Sequence, residues 1–428
     1  MFKNILSTIF TRLFTAAVTL LIVVINARQL GAGNLGTISL IILAVTIIQL
    51  FNNFVAGGAL IYMTPRAGIF RLIIPAVGWT FTFTLIISFF LFALGSFSKK
   101  LEIIPEGYIY PVLSLALVIS LSSMTLNFLL GLEKVIAFNL ISIVHITLTL
   151  ACLCSFIFIF HNHSVMAYYW ALFISHSLVF LIGLAKILPS VKIVPLAGMK
   201  QLMKEIFRFG FYIQVANFFQ QLNYRLSYYI IDFFSGRLSL GVFSVGVQVS
   251  EGVWLIPRSI GMVQYARISN QMDPLYAHRL TLTLAKIAWG ITLLAMMVLL
   301  LIPGVFFQLV FGAEFSQIRP VIASLGVGII TLSVSMIFSQ FFSGVNRPYH
   351  NTISSAIGLV FTLGFGLLLI PVWGIIGAGI TASISYTVAT AYQFIVFKNV
   401  SHLKARDFLI RKSEVRLLIS ELKSLIRP

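Results

Sequence analysis

Apolar runs of about 20 residues alternate with short polar turns along nearly the whole chain. That length crosses roughly 30 Å of hydrocarbon as an α-helix, which satisfies its own backbone hydrogen bonds. Twelve spans are predicted, at about 4–27, 36–63, 71–97, 108–131, 137–160, 165–187, 207–232, 238–264, 281–303, 318–344, 350–371 and 374–397. The fold class expected is an all-α polytopic membrane protein. The turns are too short to hold a folded extramembrane domain. The first run is longer than a signal-peptide core and is followed by many more, so it reads as a retained helix.

Polar residues interrupt this pattern in register. Within 214–232, QVANFFQQLNYRLSYYIID, the residues Gln214, Asn217, Gln221, Tyr224, Arg225, Tyr228 and Asp232 fall within an arc of roughly 100°. Phe211, Val215, Phe218, Leu222 and Tyr229 are assigned to the opposite face. The first span repeats the stripe with Thr8, Arg12, Thr15, Thr19 and Asn26. The second carries Thr46 and Asn53, and the eighth carries Gln248, Glu251 and Arg258. An arginine or aspartate at a helix centre costs about 2.5–3.5 kcal/mol on insertion scales, so such a face needs water, partners or ligand. The stripes are expected to line one aqueous cavity between the two halves of the chain. Against this, threonines in membrane helices often bond their own backbone, the reading favoured for those of the first span. Arg28 and Asp232 fit interface charges as well as they fit the cavity; Arg66 and Arg258 fit cytoplasmic anchors equally well.

The chain also repeats itself. GAGNLGTIS (31–39) and GRLSLGVFS (236–244) match at an offset of 205, with Gly31 on Gly236 and Gly36 on Gly241. NFLLGLEK (127–134) resembles QFFSGVNR (340–347). Two six-helix lobes are expected, 1–190 and 207–397, joined by a cytoplasmic linker at 191–206. Six is even, so the halves share an orientation and a pseudo-two-fold axis along the membrane normal.

Composition fits: 59% of the 428 residues are hydrophobic and 9% charged. The net charge of +18 invites a nucleic-acid partner, but the placement of the bases argues against one. Lys3, Arg66, Lys134, Lys186, Arg267 and Arg347 fall on the side that collects most of them; the other side has Arg28, Lys99, Lys100, Arg237 and Arg319. The positive-inside rule then makes both termini cytoplasmic. The tail, 398–428, reads as a basic amphipathic segment at the membrane surface or as a solvated amphipathic tail.

Cys152 and Cys154 lie in an apolar run without ligand partners, and the histidines complete no metal pattern. No phosphate-binding loop or nucleophile–base motif is present, so no enzyme, metal or cofactor is expected. Glu251, placed near mid-depth, and Asp232 are the candidates for coupling to a proton or sodium ion; a counter-ion role for Glu251 stands beside this.

NARQLGAGNLGTISLI (26–41), GGALIYMTPR (57–66), LLGLEK (129–134) and PVWGIIGAGITASIS (371–385) resemble the Wzx-type O-antigen flippases of the multidrug/oligosaccharidyl-lipid/polysaccharide exporter superfamily. The resemblance implies a MATE-like pair of lobes working by alternating access in the bacterial inner membrane. It implies an undecaprenyl-diphosphate-linked oligosaccharide as substrate, with membrane lipids and polysaccharide-assembly proteins as partners and lipopolysaccharide synthesis as the setting. It implies basic residues against the diphosphate, here Arg12 and Arg225, then Arg28, Arg66 and Arg258. Asn, Gln and Tyr of the stripes would meet sugar hydroxyls. The alternative is a cation-coupled multidrug exporter, or a flippase of another lipid-linked precursor, on the same fold.

Overall fold

The computed structural model describes residues 2–96, 104–195, 198–270 and 273–401, and it is helical throughout. In chain order the helices are α1 (Phe2–Ala56), α2 (Gly58–Ala67), α3 (Ile69–Ser96), α4 (Ile109–Gly131), α5 (Val135–Cys154), α6 (Val165–Ile187), α7 (Met199–Glu251), α8 (Leu255–Asn270), α9 (Pro274–Leu301), α10 (Gly304–Phe311), α11 (Ile318–Gly344) and α12 (Tyr349–Ser401). Lys99, Lys100 and the tail beyond Ser401 lie outside the described residues.

Among the described residues, nine helical stretches are long and apolar enough to cross a membrane. The number is nine rather than twelve because three stretches, of 58, 49 and 53 residues, each cover two of the expected spans. Each contains one glycine with positive φ: Gly31 (φ 77°, ψ 169°), Gly236 (φ 78°, ψ 174°) and Gly374 (φ 54°, ψ −131°). Two helix starts carry side-chain caps. The Ser164 hydroxyl accepts from the Met166 N–H at 3.3 Å, and Asp273 Oδ1 accepts from the Leu275 N–H at 2.9 Å, just before Pro274. The expected turn between spans nine and ten instead holds the short helix α10.

Left-handed residues recur at matching places. Gly31 pairs with Gly236 and Gly107 (φ 80°) with Gly312 (φ 113°), both at an offset of 205. Glu133 (φ 59°) pairs with Asn346 (φ 59°) and His161 (φ 52°) with Gly374, both at an offset of 213. The turn bonds match as well. Glu133 N–H donates to Leu130 O and Lys134 N–H to Leu129 O, just as Asn346 N–H donates to Ser343 O and Arg347 N–H to Phe342 O. Both are helix ends closed by a left-handed residue, with bonds running back to the third- and fifth-preceding carbonyls.

The chain forms two compact units, Met1–Val245 with Gly304–Ile318, and Gly246–Pro303 with Arg319–Pro428. In the first, α4, α5 and α6 pack together around Met124, Phe128, Ile141 and Val179. Polar groups inside this unit bond one another. Asn52 donates to Thr84 and Ser120 at 2.9 Å each, and Thr149 donates to Ser175 at 2.9 Å. In the second, Phe338, Phe341, Phe342 and Phe397 form the core with Ala288. Gln393 accepts from Ser335 and donates to Ser339 and Asn351.

Candidate functional site

In the first unit, α1 beyond Gly31 and α7 from Gly210 to Arg237 are held together at both ends. A Cβ on Gly36 would lie 2.0 Å from Arg237 O, and one on Gly210 would lie 1.9 Å from Phe54 O. Rings fill the seam near Gly210: Phe54 meets Phe207 at 5.7 Å and Phe211 at 5.8 Å, and Phe51 meets Phe218 at 6.1 Å between centroids. Trp79 braces it by donating to Phe51 O at 3.1 Å.

This seam corrects the face assignment. At 100° per residue Phe218 and Phe211 lie only about 40° and 60° from Gln214, which is 4% exposed. The aromatic face of α7 adjoins the polar stripe instead of opposing it.

The stripe itself is a ladder of bonds between neighbouring turns. Asn217 Nδ2 donates to Gln214 Oε1 at 3.3 Å. Gln220 Nε2 donates to the Tyr224 hydroxyl at 3.1 Å. Arg225 Nη1 donates to the Tyr228 hydroxyl at 2.9 Å, with the guanidinium carbon 5.3 Å from that ring's centroid. Asp232 pairs with Arg237 at 3.8 Å, and Arg237 also donates to Thr37 at 3.3 Å. Tyr228 is buried, whereas Arg225, Gln221 and Tyr224 are half-buried and Asn217 is exposed. A guanidinium has five N–H donors in a fixed fork, so orienting one of them on Tyr228 sets the direction of the others.

On α1 the exposed Arg12 lends its carbonyl to Thr15, and Thr19 donates to Thr15 O. Those two threonines spend their hydroxyls on their own helix, as favoured from the sequence. Asn26 is 3% exposed, and its Oδ1 has no hydrogen-bond partner among the described residues. A buried acceptor in that state is rare in folded chains. Asn53 is half-buried.

Arg28 turns to α10: its Nε donates to Val310 O at 2.9 Å and its Nη2 to Leu309 O. Glu314 answers from the same segment, its Oε2 accepting the Ala32 N–H at 2.6 Å where the helix restarts after Gly31. A cation therefore closes one helix end and an anion opens another, as their dipoles favour. Arg66 bends onto its own helix, donating to Tyr62 O at 2.6 Å with its guanidinium 3.7 Å over that ring.

The remaining candidates belong to the second unit. Glu251 ends α7, half-buried, and Arg258 lies 5.6 Å from the Trp254 ring. Trp254 is fully buried and donates to Ile329 O at 3.0 Å.

Sequence reasoning missed several residues. Arg237 and Glu314 were read as loop charges or not singled out. His145 and His176 face each other, Nε2 to Nε2 at 3.1 Å, with Ser122 on His176 Nδ1 at 3.0 Å. The two histidines are 31 positions apart on different helices, so no local spacing signals the pair.

No family model matches the sequence. A curated relative, an uncharacterized membrane protein of Methanocaldococcus jannaschii, is 25% identical over 224 residues, 51% of this chain. The match spans 44% of that relative's length. Solved structures align over nearly the whole chain. An inward-facing multidrug resistance MATE family transporter of the MOP superfamily gives a TM-score of 0.69 at 14% identity, covering 93% of this chain and 100% of that one. A MOP superfamily transporter from Pyrococcus furiosus gives 0.65 at 16% identity, covering 93% and 96%. The lipid II flippase MurJ, in an inward closed conformation, gives 0.65 at 12% identity, covering 95% and 89%. The chain is a multi-pass membrane protein with the fold of MOP-superfamily transporters and flippases. These neighbours are described as transporters and a flippase.

Proposed function

We propose that this protein is a flippase for a lipid-linked oligosaccharide with a diphosphate bridge, of the undecaprenyl-diphosphate class, carried across the bacterial inner membrane by alternating access for surface-polysaccharide synthesis. The observation that carries this reading is the ladder on α7, where Tyr228 aims a half-buried arginine amid amides and phenols. A diphosphate needs planar, charge-assisted donors to leave water, and sugar hydroxyls need amides and hydroxyls of the kind Asn217, Gln221 and Tyr224 supply. The buried Asn26 acceptor adds a group suited to a sugar hydroxyl. Arg12 is the second basic candidate on α1. Arg28, Arg66, Arg237 and Asp232 are engaged with protein groups, which favours structural roles for them in this conformation.

In this reading Gly31, Gly236 and Gly374 each divide two crossings, giving twelve helices in two equivalent six-helix halves with cytoplasmic termini. The paired left-handed residues support the equivalence. Glu251 is retained as the candidate for proton or sodium coupling, with no other cofactor. The fold is shared with multidrug transporters, so a cation-coupled drug exporter is the second reading.

The test is flipping of a fluorescent undecaprenyl-diphosphate oligosaccharide in proteoliposomes, beside efflux of a fluorescent cationic drug. Flipping that is lost in Arg225→Ala, with normal insertion and no drug efflux, is the expected result. Drug efflux without flipping would overturn the proposal.

A further inference from the structure

Where the left-handed turn at Glu133 delivers the chain into α5, an open pocket of about 470 Å³ lies between α5 and α6. No residue of α1 or α7 lines it, so it is separate from the ladder. Its walls are mainly aliphatic. Ile136 and Leu140 are 53% and 59% exposed, whereas Ile141 beneath them is 3% exposed. Aliphatic side chains so exposed on a membrane-crossing helix are surfaces for acyl chains.

The polar end of the pocket is basic. Lys134 Nζ donates to Lys186 O at 3.2 Å and to Ser190 Oγ at 2.9 Å. An ammonium has three donors, so one remains for a ligand. Lys186 lies in the last turn of α6, exposed, and its side chain makes no hydrogen bond or ion pair among the described residues. Glu133 is the one acid of the lining, leaving the mouth with a net positive charge.

We propose that this pocket binds an anionic phospholipid, its phosphate between Lys134 and Lys186 and one acyl chain along Ile136 and Leu140. Charge complementarity selects the headgroup, and the aliphatic wall selects a lipid over a free anion, which would gain nothing from it. Basic pockets between membrane helices on the cytoplasmic side hold acidic headgroups in this manner. The leaflet rests on the cytoplasmic placement of the Lys134 turn in the functional reading; the binding chemistry does not.

Native mass spectrometry of the full-length protein, equilibrated with equal phosphatidylglycerol and phosphatidylcholine, tests the site without any transport assay. Preferential retention of phosphatidylglycerol is expected. Lys186→Glu, which leaves the bonds of Lys134 to backbone and Ser190 in place, should lower that preference about fivefold or more. Leu140→Asp should lower retention of both lipids, because it spoils the acyl wall. Equal retention of the two lipids by the wild type would overturn the proposal. So would an unchanged preference in Lys186→Glu, or thermal stabilisation by inorganic phosphate matching that by phosphatidylglycerol. Because flipping is not measured, failure here is distinguishable from failure of the flippase reading.

Discussion

Gly36 and Gly241 are bedded on each other's turns. A methyl group on Gly36 would meet Arg237 O at 2.0 Å, and one on Gly241 would meet Ala32 O at 1.8 Å. Ala32 and Arg237 are themselves 205 positions apart, so the contact is reciprocal: the partner of each glycine is the counterpart of the other's partner. Small residues let membrane helices approach backbone to backbone in this way.

Gly36→Ala and Gly241→Ala are each expected to destabilise the protein by roughly 3 kcal/mol or more, because a carbonyl in the backbone cannot step aside as a flexible side chain can. Gly33 has no atom within 4 Å of its would-be Cβ, so Gly33→Ala should gain about 0.5–1 kcal/mol from helix propensity. Thermal unfolding in detergent, followed by size-exclusion chromatography, separates the three. Equal melting of all three would contradict the close approach.

Glu133 holds a left-handed angle that glycine adopts without steric cost, while Asn346 holds the same angle with a side chain that tolerates it better. Glu133→Gly should therefore stabilise by about 1 kcal/mol, and Asn346→Gly by less. Melting temperatures of the two variants give the order; a larger gain at Asn346 would be the wrong one.

Tyr228→Phe keeps the ring against Arg225 and removes only the hydroxyl. Loss of one hydrogen bond costs about 1 kcal/mol of stability, yet flipping should fall several-fold as the guanidinium loses its orientation. Arg225→Lys should not restore activity to Arg225→Ala, since an ammonium cannot reproduce the planar fork. A lysine variant with wild-type flipping rates would show that charge alone suffices.

Glu314→Gln weakens a charged cap on the helix that restarts at Ala32, and Arg28→Ala uncaps α10. Each should cost about 0.5–1 kcal/mol. Hydrogen–deuterium exchange over residues 304–315 should quicken in both, while peptides of α4 and α5 should be unaffected.

The membrane character of the chain and the equivalence of Gly31 with Gly236 were legible in the sequence, since apolar length and a glycine before Leu35 or Leu240 are local signals. The stripe from Gln214 to Asp232 was legible as an arc. Its bonding was not, because Arg225 reaches Tyr228 through a choice of rotamer that spacing does not specify. Arg28 read as a cavity or interface charge; its engagement with α10 was hidden because Leu309 and Val310 contribute only carbonyls, which every residue has. The match of His161 with Gly374 escaped notice for a related reason: the angle is shared and the side chain is not. Phe211 and Phe218 were assigned to the face opposite Gln214, although they lie only about 60° and 40° from it around the helix.

The glycine contacts at the two ends of the seam between α1 and α7 have a mechanical consequence. Residues 36 to 54 rise about 27 Å, close to the thickness of the oily layer itself. The two helices are thus pinned at two levels, Gly36 on Arg237 at one end and Gly210 on Phe54 at the other. The first is reinforced by the hydrogen bond from Arg237 to Thr37. In each, main chain rests on main chain, so the two helices cannot slide past one another along their length without first drawing apart.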